Sequence, residues 1–229
     1  MTTGENGALI QHNVPHIQQR YNWDCGVTCI LMLLSEEDKT KFLNNFTKIC
    51  QKEGFGHTTC TIDLCYLLKR YNIEHCMYTT RQSANTRSLS NLTNYNINTE
   101  KVATRISKKF ANAPVCGIRI YDGVLSVKDL VSHIAHKGPA IVLVDAGLLS
   151  CDLCKHNKLT AEFRRIFGGS YRGHYILIFG VSSSKLLYRD PARSSPFCAT
   201  TFKRLQAARL TLGTDCDIIL IYKKIYTKM

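Results

Sequence analysis

The chain has 229 residues, of which 45% are hydrophobic and 21% charged, a balance that suits one domain or two closely packed lobes and excludes a largely disordered chain. The net charge of +13 suits an acidic substrate or partner, or simply a solvated basic surface. The basic residues are dispersed, with short clusters at 105–109, 164–165 and 223–224 and no zinc-finger, RRM or KH pattern, so a nucleic-acid partner is disfavoured.

Residues 1–13 are polar and read as a disordered lead-in to a single domain over 14–229. Pro15 favours an extended segment before the first helix. Asp24 is a suitable N-cap for a helix from Cys25 to Leu34. Ser35 caps a second helix with Glu36, Glu37 and Asp38 in its first turn and Phe42, Phe46 and Ile49 at helical spacing. Thr61 to Tyr71 reads as a third helix, and His75 to Thr79 as a short strand. Residues 81–98, rich in Asn, Ser and Thr, read as a long surface loop. Asn98 then caps a helix carrying Val102, Ile106 and Phe110. Ser126 caps another, which carries Leu130 and Ile134 and stops at Gly138. The apolar run Pro139 to Val144 predicts a central strand. Further strands are predicted at Tyr175 to Val181, Lys185 to Tyr188 and Asp217 to Lys223, with a helix over Thr200 to Leu210. Helices dominate the first half and strands the second, which predicts an α+β fold.

There are 11 cysteines. No export signal and no apolar run of membrane-spanning length is legible, so the expected compartment is reducing (cytoplasm, or also nucleus), with free thiols and no membrane partner. Cys25 stands out because Asp24-Cys25-Gly26 places a thiol in the first turn of a helix. The partial positive charge of the helix start favours a thiolate there, and Gly26 leaves room for a substrate carbonyl. Gln19, six residues earlier, supplies a side-chain amide that could join the Cys25 N–H in an oxyanion hole; Gln18 is an alternative donor. His174 opens a buried strand, where a rigid rim position suits a catalytic base. Asp190, before Pro191, closes the next strand. A hairpin would bring it beside His174, to fix the tautomer and stabilise the imidazolium.

Other candidates are weaker. Cys29 is one turn from Cys25 and reads as a core residue or a redox partner. Trp23 reads as a packing anchor or a cleft wall. Cys151-Asp-Leu-Cys154 with His156 gives half of a zinc-site spacing, but the following residues lack a second ligand pair. A distant cysteine would have to complete it, so no metal or other cofactor is predicted. His133 and His136 read as a solvated helix face rather than a metal pair, and His16 as a neighbour of the cleft.

The order Gln, Asp-Cys-Gly, Gly-His-aromatic, Asp-Pro is similar to the C39-type branch of papain-like cysteine peptidases. Val14-Pro-His-Ile-Gln-Gln19, Trp23-Asp-Cys-Gly26, Thr61-Ile-Asp-Leu64, Ser126-Val-Lys-Asp129, Ala140-Ile-Val-Leu-Val144, Cys151-Asp-Leu-Cys154, Gly173-His174 and Gly213-Thr-Asp215 resemble the guanylyl cyclase domain-containing protein family, over nearly the whole chain. The resemblance implies a papain-like fold in which a helical lobe carries Cys25 and an antiparallel sheet carries His174 and Asp190. It also implies Gln19 at the oxyanion position. The family's name implies GTP cyclisation. Common cyclases hold two metal ions with paired carboxylates, and neither such a constellation nor a P-loop is legible here. The leading expectation is therefore a cysteine hydrolase acting on a peptide, isopeptide or amide bond of a protein or peptide substrate. Deamidation and acyl transfer use the same chemistry. A catalytically silent interaction protein and a cyclase are the alternatives.

Overall fold

The computed structural model describes residues 9–54, 59–80, 99–154 and 156–222. Among them the elements run β1 (Ile10–Gln11), α1 (Cys25–Leu31), α2 (Glu36–Asn44), α3 (Phe46–Glu53), α4 (Thr61–Arg70), β2 (His75–Thr79), α5 (Thr99–Asn112) and β3 (Arg119–Asp122). They continue α6 (Val127–His136), β4 (Ala140–Asp145), α7 (Lys158–Phe167), β5 (Gly173–Val181), β6 (Lys185–Arg189), β7 (Cys198–Thr201), α8 (Phe202–Arg209) and β8 (Ile218–Ile221).

The strands form one sheet in the order β3-β2-β8-β4-β5-β6-β7, with β1 paired to β5. β2 and β3 are parallel, whereas β4, β5, β6 and β7 pair antiparallel in turn. Because successive side chains of a strand point to opposite faces, β5 serves two cores. Tyr175, Leu177 and Phe179 join Ile30, Phe42, Leu64 and Ile106 beneath the N-terminal helices. Ile176 and Ile178 join Leu130, Ile134 and Leu205 on the other side. Burial on both faces explains why β5 reads as a continuous apolar run.

The caps behave as their sequences predict at α2 and α6. The Ser35 and Ser126 hydroxyls accept from the backbone N–H groups of Asp38 and Asp129. Other boundaries differ. Residues 9–13, expected to precede the domain, include β1, whose Ile10 faces Val181 and Gln11 faces Gly180. His12 extends this edge, donating its N–H to Phe179 O at 2.8 Å, while its ring Nε2 lies 2.7 Å from Ile134 O. The helix expected to reach Leu34 ends at Leu31, where Leu33 N–H turns back to Ile30 O. The second predicted helix is two, broken at Asn45 with φ −113°. The loop predicted at 81–98, its cap Asn98, residues 1–8 and Lys223 lie outside the described residues.

Helix α1 is held close to β5 by the absence of a side chain at Gly26. A Cβ there would lie 2.7 Å from Leu64 Cδ1 and 2.9 Å from Tyr175 Cδ2. Leu64 is fully buried, and the Tyr175 hydroxyl is tied to Thr61 Oγ1 at 2.8 Å, so neither can retreat freely. Gly26→Ala gains roughly 1 kcal/mol of helix propensity but overpacks this contact at a cost of about 1–3 kcal/mol. The expected net effect, read by urea denaturation, is a lower midpoint with an unchanged m-value.

Candidate active site at the ends of β5 and β6

The hairpin of β5 and β6 sets Leu177 opposite Arg189 and Ile178 opposite Tyr188. His174 lies at the start of β5 and Asp190 just past the end of β6, so their side chains share one end of the sheet. His174 Nε2–H donates to Asp190 Oδ1 at 2.7 Å. The same carboxylate oxygen accepts from Ala192 N–H at 2.9 Å, and Arg193 Nε stands 4.0 Å from Oδ2. Cys25, first residue of α1, lies near enough to the His174 ring to act on its charge. Since Asp190 uses Nε2, Nδ1 is the nitrogen left for the sulfur. The structure thus brings together three residues separated by up to 165 positions in sequence, and all three are buried.

Burial opposes a charge on the ring. The hydrogen bond to Asp190 and the charge of that carboxylate, with a contribution from the neighbouring Cys25, outweigh it and push the His174 pKa up to about 10. Burial likewise opposes ionisation of Asp190, but the bond and charge of His174, the Ala192 N–H and the nearby Arg193 hold its carboxyl below the usual range. Together the two groups form an imidazolium–carboxylate pair.

The segment before Cys25 is pinned to the same end of the sheet. Gln19 N–H donates to Pro191 O at 2.8 Å, and His16 Nε2 lies 3.1 Å from Asp190 O. His16 therefore has a partner here, beyond its predicted place near the cleft. The Gln19 amide nitrogen donates to Tyr21 O at 2.6 Å, and its Oε1 is buried without a hydrogen-bond partner. One N–H of this amide is thus engaged locally and its second remains as a donor. Asp24 departs from the N-cap prediction. Its side chain makes no cap bond to α1; it turns back to accept from Arg20 N–H at 3.3 Å and Tyr21 N–H at 3.1 Å. The carboxylate closes the 20–24 turn instead of the helix. Trp23, Tyr21 and Phe46 form a three-ring cluster, with centroids 5.7 Å apart for Tyr21–Trp23, 6.1 Å for Trp23–Phe46 and 6.3 Å for Tyr21–Phe46, and Tyr21 is exposed.

Cys29 faces the core: its thiol donates to Tyr175 O at 3.7 Å, and desolvation, reinforced by Cys25 and Asp190, pushes its pKa well up. His133, expected on a solvated face, is buried, with Nε2 2.9 Å from Ile221 O. His136 is exposed and bonds Ser132 O. The Cys151–Cys154 pair gains a neighbour that the sequence reading did not name. Cys198 at the start of β7 completes a cluster whose three sulfur atoms lie within 4.8 Å of one another. No local spacing signals it, because Cys198 reaches the pair only through the pairing of β6 with β7. All eleven cysteines are free thiols.

A family profile described as guanylylate cyclase matches residues 14–221. Guanylyl cyclase 1 of Arabidopsis thaliana is 30% identical over 215 residues, a match covering 91% of this chain and 75% of the plant protein. A crystal structure from Bacillus anthracis, named as a C39-like peptidase, aligns with 95% of this chain and 98% of its own at a TM-score of 0.52 and 16% identity. At that identity the likeness establishes the fold, a papain-like α+β arrangement. With its profile spanning most of its length, the chain belongs to the guanylylate cyclase family.

Proposed function

We propose that the chain is a cysteine hydrolase acting on a peptide, isopeptide or amide bond, with Cys25 as nucleophile, His174 as proton carrier and Asp190 as the group that orients it. The observation that carries this reading is the 2.7 Å hydrogen bond between His174 and Asp190, with Cys25 at the start of α1 acting on the same ring. In the reaction the Cys25 thiolate adds to the substrate carbonyl carbon. The Cys25 N–H and the second N–H of Gln19 stabilise the oxyanion. The C–N bond breaks as His174 gives its proton to the departing nitrogen, leaving a thioester on Cys25. His174, now neutral, takes a proton from water, whose oxygen adds to the thioester and releases the acid and the thiolate. An amine in place of water gives acyl transfer by the same steps. The exposed Tyr21 ring, stacked on Trp23 and Phe46, forms a flat apolar surface in the segment leading to the nucleophile, suited to an extended chain of substrate.

The family's name offers cyclisation of GTP as the other reading. Among the described residues the metal-ligating cluster is made of three cysteines and contains no carboxylate, unlike the paired acids that hold two metal ions for phosphoryl chemistry. The donor set favours thiol chemistry. Metal-dependent formation of cyclic GMP that survives Cys25→Ala would overturn the hydrolase reading.

The charge state of His174 is checked by ring-nitrogen NMR. Its raised pKa predicts an imidazolium across neutral pH. In Asp190→Asn the titration midpoint should fall by about one unit or more, as removing an opposite charge implies. The sign carries to stability. The contribution of His174 is complete below the unfolded histidine pKa of about 6.5 and is lost as pH rises towards about 10.

Reactivity is checked with an iodoacetamide probe and peptide mapping. Cys25 should label ahead of the buried thiols, and His174→Ala should slow it about tenfold or more, the effect of removing roughly 1.4 kcal/mol of interaction. Uniform labelling of several cysteines, unchanged by His174→Ala in a protein with native circular dichroism, would refute the assignment.

A further inference from the structure

We propose that Cys151, Cys154 and Cys198 bind one zinc ion that ties the loop after β4 to β7. Three features support it. The first is spacing. In a tetrahedral site with Zn–S bonds of about 2.3 Å the sulfurs stand about 3.8 Å apart. The Cys154 and Cys198 sulfurs are 3.9 Å apart, and all three fit within 4.8 Å. A disulfide requires about 2.05 Å, so these are the separations of fellow ligands rather than of bonded partners.

The second is the shape of the loop. Leu153 N–H and Cys154 N–H both donate to Cys151 Sγ, at 3.3 and 3.4 Å. Two backbone donors aimed at one sulfur suit a sulfur that carries negative charge, as a metal-bound thiolate does. They also curl the Cys-x-x-Cys segment so that both of its thiols face the same point.

The third is the surroundings. Asp152, between the two cysteines, fastens the loop to its neighbours. Its N–H donates to Ala199 O in β7 at 2.8 Å. Its carboxylate pairs with Lys158 at 3.3 Å, Lys185 at 3.2 Å and Arg204. The loop geometry is thereby set by contacts outside the cluster, and those cations help to offset the excess negative charge of three thiolates around a divalent ion. Thiolate donors select zinc over hard cations such as magnesium or calcium. His156, whose carbonyl accepts from Cys151 N–H at 3.1 Å, keeps its ring outside the cluster, so the fourth position falls to a solvent molecule. The His156 ring also contacts the Arg193 guanidinium, and Arg193 lies beside Asp190, so a metal here would steady the segment behind the site at the ends of β5 and β6.

The test is metal content and cobalt spectroscopy on the full chain purified without chelators under reducing conditions. The expected result is about one zinc per chain by plasma mass spectrometry. After exchange, Co²⁺ should give a thiolate-to-cobalt charge-transfer band in the near ultraviolet and intense visible d–d bands of tetrahedral geometry. Cys198→Ser and Cys154→Ser should each lose the stoichiometric metal. Cys154 is exposed, so its variant keeps the test open should the buried Cys198 variant fail to fold. Cys116→Ser, distant in sequence, should retain it. Less than a tenth of an equivalent of zinc with no cobalt bands overturns the proposal. So does metal that persists in Cys154→Ser, or an intact mass showing a disulfide in the reduced preparation. None of these readouts depends on hydrolase activity.

Discussion

The hydrogen bond between His174 and Asp190 is the constraint around which this end of the molecule is arranged. A buried imidazolium and carboxylate lose their hydration, and their mutual attraction makes up for that only with close geometry and further hydrogen bonds. Losing one partner of such a pair typically costs about 3–5 kcal/mol, because the other is left charged and dry. The surrounding contacts supply the needed precision. Ala192 N–H occupies the same carboxylate oxygen, Arg193 lies on the other side, and the backbone around Asp190 is tied to Gln19 and His16. The hairpin register, interrupted between Ile178 and Gly180, sets where β6 ends and therefore where Asp190 falls. Gly180 permits the added edge strand, since a Cβ there would lie 2.9 Å from Ile10 O.

Cys25 is placed by a different device. Asp24 would ordinarily stabilise a helix by capping it, yet its carboxylate faces away from α1 and binds the preceding turn. Burial raises its pKa against those backbone donors, the mark of a carboxylate held in place by structure rather than solvated. The result is a rigid entry into α1. The turn follows Gln19, whose N–H is tied to Pro191 O, and leads into Cys25, while Gly26 allows α1 to lie against Tyr175. Both the amide and the thiol are thus set by backbone contacts made outside the site.

The features legible in the sequence were those with local causes. Ser35 and Ser126 announce their helices because a cap hydroxyl and its N–H lie three residues apart. β4 and β5 announce themselves because burial on both faces leaves unbroken apolar runs. His174 and Asp190 could be paired from the sequence because each sits at the end of a strand of one predicted hairpin, and the structure joins them by a hydrogen bond. What escaped depended on tertiary context. β3 and β7 are four-residue strands, too short to show a period. Helix α7 carries apolar residues at 159, 163 and 166, a helical spacing present in the sequence, but these residues are exposed, so the usual link between an apolar stripe and a core does not hold. His133 lies on a helix face that the sheet covers, which no spacing on its own helix reveals. Cys198 joins Cys151 and Cys154 only through the sheet.

The eleven cysteines show how one fold sorts identical side chains into different chemistry. Cys29 and Cys65 are fully buried, and desolvation pushes their pKa values far up, which leaves them as small apolar residues with a weak S–H donor. Cys151, Cys154 and Cys198 sit together, with two backbone N–H groups on the Cys151 sulfur and three cations on the intervening Asp152. Cys25 has neither environment. It is as buried as much of the core, yet it meets an imidazole whose charge is secured by a second buried group. The His174–Asp190 pair is what sets its surroundings apart from those of Cys29. The same exclusion of water that raises the Cys29 thiol strengthens the attraction between His174 and Asp190, so two cysteines one helical turn apart meet different surroundings, one a backbone carbonyl in the core and the other an imidazole held by a buried carboxylate.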